Sequence, residues 1–381
     1  VKIGFIYVFS GRLANFGAMA KQGADLAVEE VNASGGVLGR KLVIVYEDEQ
    51  MKPQRGVELA HKLVNDDKVD VLMGITSSGV ADAVVPVIPS LRTPLIITLA
   101  MNPDVTGEKC NPYTFRVSMN GPQNIMSASM LASGLPAKRW TTIGPDYLFG
   151  YQCWEYFQRY LRPKRPDVTY VPQSDVAFAP ITTTDYSPYI TKTMNTNADG
   201  VLISLFAGNL VDFYRQATAH GFFDGKRQVL VNIGSSMDVM YGMGIDMPKG
   251  IWVGGFYWFQ QSETPLNKSF VEAYRKRFKV PPDYNAHGAY SGVKAYAAAV
   301  EKAGTTDKEK VTKALEGLVL DLPIGKTEIR AGDHQAVLSA AWGFTSEFDG
   351  SLRLRLLTPL KLFPGDEITM PVDQTGCVMK R

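Results

Sequence analysis

Four histidines and three cysteines in 381 residues leave little raw material for nucleophilic or metal chemistry. His61 falls on the outward face of an expected helix, and His220 ends another beside Gly221. His287 lies in "YNAHGAY", and His334 completes the set. None stands beside a serine, cysteine or carboxylate in a triad motif, so surface and packing roles are expected for all four. The chain has no G-x-G-x-x-G after its first apolar run, no Walker motif and no H-E-x-x-H. No cofactor and no metal ion is therefore expected. The acidic run Glu47–Glu49 raises a metal site as one reading and a solvated loop at a strand end as the other, and the loop is expected. No two cysteines form a C-x-x-C pair, which argues against a zinc or thioredoxin-like centre. Buried thiols are one reading of the three. The other is a disulfide made in an oxidising compartment, with one cysteine left free. Cys110 in the loop "TGEKCNPY" and Cys377 in the polar tail "QTGCVMKR" are the candidate pair, and a bridge there would tie the tail down.

A charge excess is also missing. Forty basic residues against 38 acidic leave a net charge of +2, with the signs interspersed. No nucleic acid and no anionic membrane is expected as the main partner. No run of about 18 apolar residues occurs, so no transmembrane helix is expected. The chain opens "VKIGFIYVFSG", without methionine and already strand-like. A processed export signal and a trimmed start both explain that opening.

What is present is an ordinary globular composition, 45% hydrophobic and 20% charged. The length suggests two or three domains. Lys2–Phe9 reads as a buried strand, and Met19, Ala24, Leu26, Ala27 and Val31 then recur at helical spacing. "KLVIVYED", "VDVLMG" and "TPLIITLA" are further strands separated by helices. This β-α-β-α-β-α-β order predicts an α/β unit with a parallel sheet. From about Gly121 to Lys249 the order restarts, with strands in "RWTTIGP", "DVTYVPQSDV", "DGVLISLF" and "RQVLVNIG". Helices follow, and the strand-like pieces "AVLSAAWGF" and "LRLRLLTPLKLF" close the chain. The expectation is two doubly wound α/β lobes, crossed by the chain more than once, with a ligand cleft. Lobe 1 is expected at residues 1–120 plus 251–330, and lobe 2 at 121–250 plus 331–381.

Ligands of doubly wound sheets collect beyond the carboxyl ends of the strands. "SGRLANFG", "DEQ", "ITSSG" and "LAMNP" fall there in the first lobe. In "ITSSG" the next helix begins with free N–H groups, and the hydroxyls of Ser77 and Ser78 add donors. That set can hold a carboxylate without lysine or arginine. Plain helix capping by either serine is the competing reading. The second lobe carries aromatics at the matching ends, namely Tyr147, Phe149 and Phe206, which with Phe16 would line an apolar slot or else serve as core.

The stretches "SGRLANFGAMAKQGADLAVEEVNASGGVLGRKLVIVYEDEQ", "DVLMGITSSGVADAVVPVI", "NPDVTGEKCNPYTFRV", "DYLFG", "TDYSPYITK" and "ADGVLISLFAGNLVDFYRQA" together resemble type I periplasmic solute-binding proteins of the branched-chain amino acid class. The likeness covers roughly residues 1 to 350. It implies two α/β lobes joined by three crossings, with ligand trapped by hinge closure. It also implies a monomer located in the periplasm, with ABC importer membrane subunits as partners. Carried across, Ser77 and Ser78 match the family's carboxylate-gripping loop. Leu99, Ala100 and Met101 match the loop after strand four, with Met101 where amino-acid binders carry a hydroxyl. Phe16, Phe149 and Phe206 fall where those binders tend to carry tyrosines. Ile233 stands where they place an acid for the ligand ammonium, with no acid until Asp238. A buried ammonium without a counter-charge is costly. The expected ligand is therefore a small carboxylate, an aromatic or 2-keto acid, and no enzyme activity is expected. The alternatives are an amino acid on the same fold, a regulatory sensor, and a hydrolase with a base near Ser77.

Overall fold

Short apolar runs, buried on both faces, build the first sheet. Ile3, Phe5, Ile6 and Tyr7 are fully buried in β1 (Lys2–Tyr7), the pattern of a strand covered by helices on both sides. A computed structural model describes residues 1–379 and places β1 beside β2 (Val43–Asp48) and β3 (Val71–Gly74). β4 (Leu95–Ile97) and β5 (Thr114–Arg116) follow, and the order is β2-β1-β3-β4-β5 with every pair parallel. The direction of strand addition reverses at β1/β3, the switch point where ligands of such sheets bind. Leu59 and Leu63, on a helix over Pro53–Asn65, and Val80 and Val84, on a helix over Ser78–Val84, pack with Ile6 and Leu72 into one core.

The second sheet repeats this plan. It contains β6 (Arg139–Pro145), β7 (Thr169–Tyr170), β8 (Ala177–Ala179), β9 (Gly200–Ile203), β10 (Gln228–Val231) and β11 (Trp252–Gly255). β6 pairs β7 and β8 on one side and β9 on the other, and β9-β10-β11 continue in parallel. Its switch point is β6/β9. A small sheet of β12 (Leu318–Leu322), β13 (Gly325–Ile329) and β14 (Ala336–Val337) belongs to the first unit. β15 (Ala340–Asp349) and β16 (Leu354–Phe363) extend the second sheet antiparallel from β11.

Unit 1 comprises Val1–Asn120, Ser262–Ser339 and the tail from Thr369 onward; unit 2 comprises Gly121–Gln261 and Ala340–Ile368. The chain passes between units four times, at 120/121, 261/262, 339/340 and 368/369, where three crossings were expected. The first passage coincides with the expected boundary. The second and third fall later than expected at 250 and 330. β11 stays in the second sheet, and β12–β14 are built by local hairpin pairing within unit 1. The tail was assigned to lobe 2 but belongs to unit 1, where Cys110 and Cys377 form a disulfide with Cα atoms 5.5 Å apart. Cys153 is free and buried, and burial pushes its thiol up to about 12.

Candidate ligand-binding site

The backbone at the unit 1 switch point is unusual. Gly74 ends β3 with φ of +112°, and a Cβ there would stand 2.2 Å from the Ile6 carbonyl oxygen. The next residue, Ile75, is β-branched yet has φ of +64°. Such a conformation costs about 1–3 kcal/mol and persists only where the surroundings impose it. Here the Ile75 N–H donates to the Ile6 carbonyl at 2.7 Å, and its own carbonyl accepts from the Ala100 N–H at 3.0 Å. The Thr76 hydroxyl oxygen accepts from the Val8 N–H at 2.9 Å. The loops after β1, β3 and β4 are thereby locked together.

Ser77 is the N-cap of the helix Ser78–Val84, and its Oγ accepts from the Val80 N–H at 3.1 Å. The capping reading is thus observed. It consumes a lone pair of the hydroxyl and not its proton, so Ser77 keeps a donor. Ser77 and Ser78 are half-buried, and the Ser78 hydroxyl has no protein partner among the described residues. Leu99, Ala100 and Met101 are buried, with Ala100 part of the core.

Two residues around this loop have places that the sequence reading did not give them. Arg116, on β5, is fully buried and donates to the Ala100 carbonyl at 3.1 Å, the Asn102 carbonyl at 2.7 Å and the Thr106 hydroxyl at 2.6 Å. Its Nε donates to Gln335 Oε1 at 2.7 Å. Burial holds the guanidinium down to about 9. This arginine fixes the loop after β4 by its main chain. The available signal was a charged residue inside the apolar strand "TFRV". Glu49 corrects the reading of Glu47–Glu49 as a solvated loop, because its carboxyl is fully buried. It accepts from the Thr76 N–H at 3.4 Å and lies against the Thr76 hydroxyl and the Ser77 N–H. Its Oε1 has no hydrogen-bond partner among the described residues. Burial outweighs those donors and raises the carboxyl to about 7. No group of three or more His, Cys, Asp or Glu able to hold a metal occurs among the described residues.

Phe16 belongs to unit 1. It is buried on the helix Ala14–Ala33 and meets Tyr284 edge-on at 6.0 Å. In unit 2 the aromatics do come together. Phe149 follows β6 and Phe206 follows β9, the two strands flanking the switch point. Their rings meet edge-on at 6.0 Å, with Tyr147 6.1 Å from Phe149. Phe149 is buried, whereas Tyr147 is 37% exposed. Ile233 is buried in the loop after β10. Asp238 lies in the first turn of the helix Met237–Met243. Its Oδ1 is buried without a hydrogen-bond partner among the described residues, and burial raises its carboxyl above the usual range. His287 and His334 are buried packing residues, the latter stacked on Phe115 at 4.0 Å.

Two sheets of equal strand order, each with candidate binding residues at its switch point, define a recognisable family. The family described as periplasmic binding protein matches residues 1–345. The chain belongs to the periplasmic binding proteins. Within them it falls in the type I, branched-chain amino acid class. The Leu/Ile/Val-binding protein homolog 7 of Brucella suis is 27% identical over 346 residues, which cover 87% of this chain and 84% of the relative. An amino acid ABC transporter substrate-binding protein from Pseudomonas fluorescens Pf-5 shares the fold with a TM-score of 0.87 at 24% identity, covering 99% of this chain and 98% of the other. A solute-binding protein of an ABC transporter from R. palustris, solved with 4-hydroxybenzoate, has a TM-score of 0.82 at 25% identity, covering 96% and 97%. Family and fold are those of periplasmic binding proteins. No helix among the described residues is long and apolar enough to cross a membrane.

Proposed function

We propose that this periplasmic binding protein delivers a small organic acid, aromatic or 2-keto, to the membrane subunits of an ABC importer, acting as a monomer in the periplasm. The ligand carboxylate takes the hydroxyls of Ser77 and Ser78, beside Leu99, Ala100 and Met101. The apolar remainder of the acid takes the ring face of Tyr147, Phe149 and Phe206, with Phe16 and Ile233 supplying further apolar surface. The observation that carries this reading is the ring contact of Phe149 and Phe206 at the unit 2 switch point. It offers π-faces and no hydroxyl to a ligand. Ile233, where amino-acid binders carry an acid, points the same way. The complex of the R. palustris relative with 4-hydroxybenzoate adds support.

A second reading is an amino acid, favoured by one specific observation. Asp238 keeps a buried carboxylate oxygen without a hydrogen-bond partner among the described residues, and an ammonium group could take it. The names of the Brucella relatives agree with that reading. Calorimetric titration of the protein with benzoate, 4-hydroxybenzoate, 4-methyl-2-oxopentanoate, leucine and valine separates the two. The acids should bind and the amino acids should not. Tight binding of leucine or valine with none of the acids would sink the acid reading.

A further inference from the structure

A carboxyl group with no cation beside it lies directly behind the serine loop. Glu49 follows β2, and it is fully buried. Its surroundings are accounted for element by element. From β1 comes Tyr7, whose phenol is fully buried and donates to Asn285 Oδ1 at 2.9 Å. On its own strand Asp48 is adjacent in sequence and accepts from the Phe9 N–H at 2.9 Å. From the helix Pro53–Asn65, Arg55 is directed at the main-chain carbonyl of Asp48. From the loop after β3 come Thr76 and Ser77, both uncharged. From the helix Tyr284–Ala303, Asp283 at its N-cap acts on Tyr7. No lysine, arginine or histidine pairs with the Glu49 carboxyl among the described residues.

The charge of Glu49 therefore has nothing to balance it except donors of the Thr76–Ser77 segment. Those donors adjoin the hydroxyls to which the proposed function assigns the ligand carboxylate. A second anion placed there meets the first across the Thr76–Ser77 segment. Two carboxylates sharing one site do not both ionise. Placing the ligand makes Glu49 hold its proton, and Glu49 without a proton repels the ligand.

We propose that Glu49 makes capture of the acid proton-linked: the ligand anion sits on the serine loop only with Glu49 protonated, and binding draws that proton from water when Glu49 has lost it. The balance is one anion and one proton taken up together, with no covalent change. This rests on the reading that Ser77 and Ser78 receive a carboxylate. Glu49 is then a positioning and specificity residue, selecting ligands that bring a negative charge and no ammonium group to this loop.

The test is calorimetric titration of the whole protein and of Glu49→Gln with benzoate, 4-hydroxybenzoate and 4-methyl-2-oxopentanoate. Titrations run from pH 6 to 8.5, each in two buffers of different ionisation enthalpy. For the tightest-binding acid, the wild-type Kd should rise by up to tenfold per pH unit above about pH 7, with uptake approaching one proton. Glu49→Gln should bind with a flat profile and no uptake. Binding by the wild type with no uptake and a flat profile overturns the proposal and leaves the proposed function standing. The same uptake in Glu49→Gln, or proton release on binding, also overturns it. Should Glu49→Gln fail to fold, proton uptake by the wild type still decides. If no acid binds either protein at any pH, the proposal falls together with the reading beneath it.

Discussion

Replacing Ser77 by alanine separates its two roles. The hydroxyl caps the helix Ser78–Val84 by accepting from the Val80 N–H at 3.1 Å. Loss of a serine cap costs about 1 kcal/mol of stability. If the same hydroxyl also donates to a ligand carboxylate, its loss removes a charge-assisted bond worth about 1.5–3 kcal/mol. That corresponds to a Kd weaker by roughly 10- to 150-fold. Ser77→Gly serves as the partner variant, because glycine caps nearly as well as serine and costs only a few tenths of a kcal/mol in roughly the same position. The backbone at Ser77 is extended (φ −101°, ψ 149°), which glycine adopts freely. Thermal unfolding of the free proteins measures the cap, and calorimetric titration with the best-binding acid measures the ligand contact. Ser77→Ala should lose both stability and affinity, and Ser77→Gly mainly affinity. Unchanged affinity in both variants, with a lower Tm in alanine alone, would reduce Ser77 to a cap and refute the reasoning.

Other consequences are independent of that serine. Glu49 titrates at about 7 in the fold against an ordinary 4.5, so its stabilising protonated state is fully present below pH 4.5 and lost as pH rises through 7. Urea unfolding should show wild type losing about 3 kcal/mol relative to Glu49→Gln between pH 4.5 and 8, and a constant difference would contradict the buried, cation-free placement. Cys377→Ser opens a bridge spanning 267 residues and should lower stability by about 2–5 kcal/mol, measured by denaturant unfolding under oxidising conditions. An unchanged midpoint would show that the tail contributes nothing through its bridge. Gly74→Ala combines a positive φ with a clash on the Ile6 carbonyl, and a loss of less than about 1 kcal/mol on unfolding would show that the loop is not held as described. Phe206→Ala should weaken an aromatic acid by about 0.5–1.5 kcal/mol more than it weakens an aliphatic acid, and equal losses would remove the ring from the site.

The parallel sheets were legible because their strands are short apolar runs such as Val69–Met73 and Leu95–Ile97, separated by amphipathic helices. Each reading there depends on neighbours in sequence. β12 and β13 were not legible, since "LVLDLPIGKTEI" pairs on itself with charged residues on its open face. The tail's allegiance to unit 1 is set by a bond across 267 residues. Ser77 and the ring pair Phe149–Phe206 could be put forward as candidates from their places at strand ends. Glu49 and Arg116 could not, because a charged side chain in sequence reads as solvated until its burial is known. Glu49 is buried against the loop after β3, and Arg116 among the segment after β4 and Gln335, neighbours that only the folded topology brings together.

The central claim is that the serine loop after β3 receives a carboxylate while the unit 2 rings receive the body of the acid. A crystal structure of the protein with the acid that binds most tightly in titration tests this directly. The account predicts carboxylate oxygens within hydrogen-bond distance of Ser77 or Ser78 and the apolar part of the ligand against Phe149 and Phe206. A carboxylate bound elsewhere, or an acid whose apolar part touches neither ring, would contradict it.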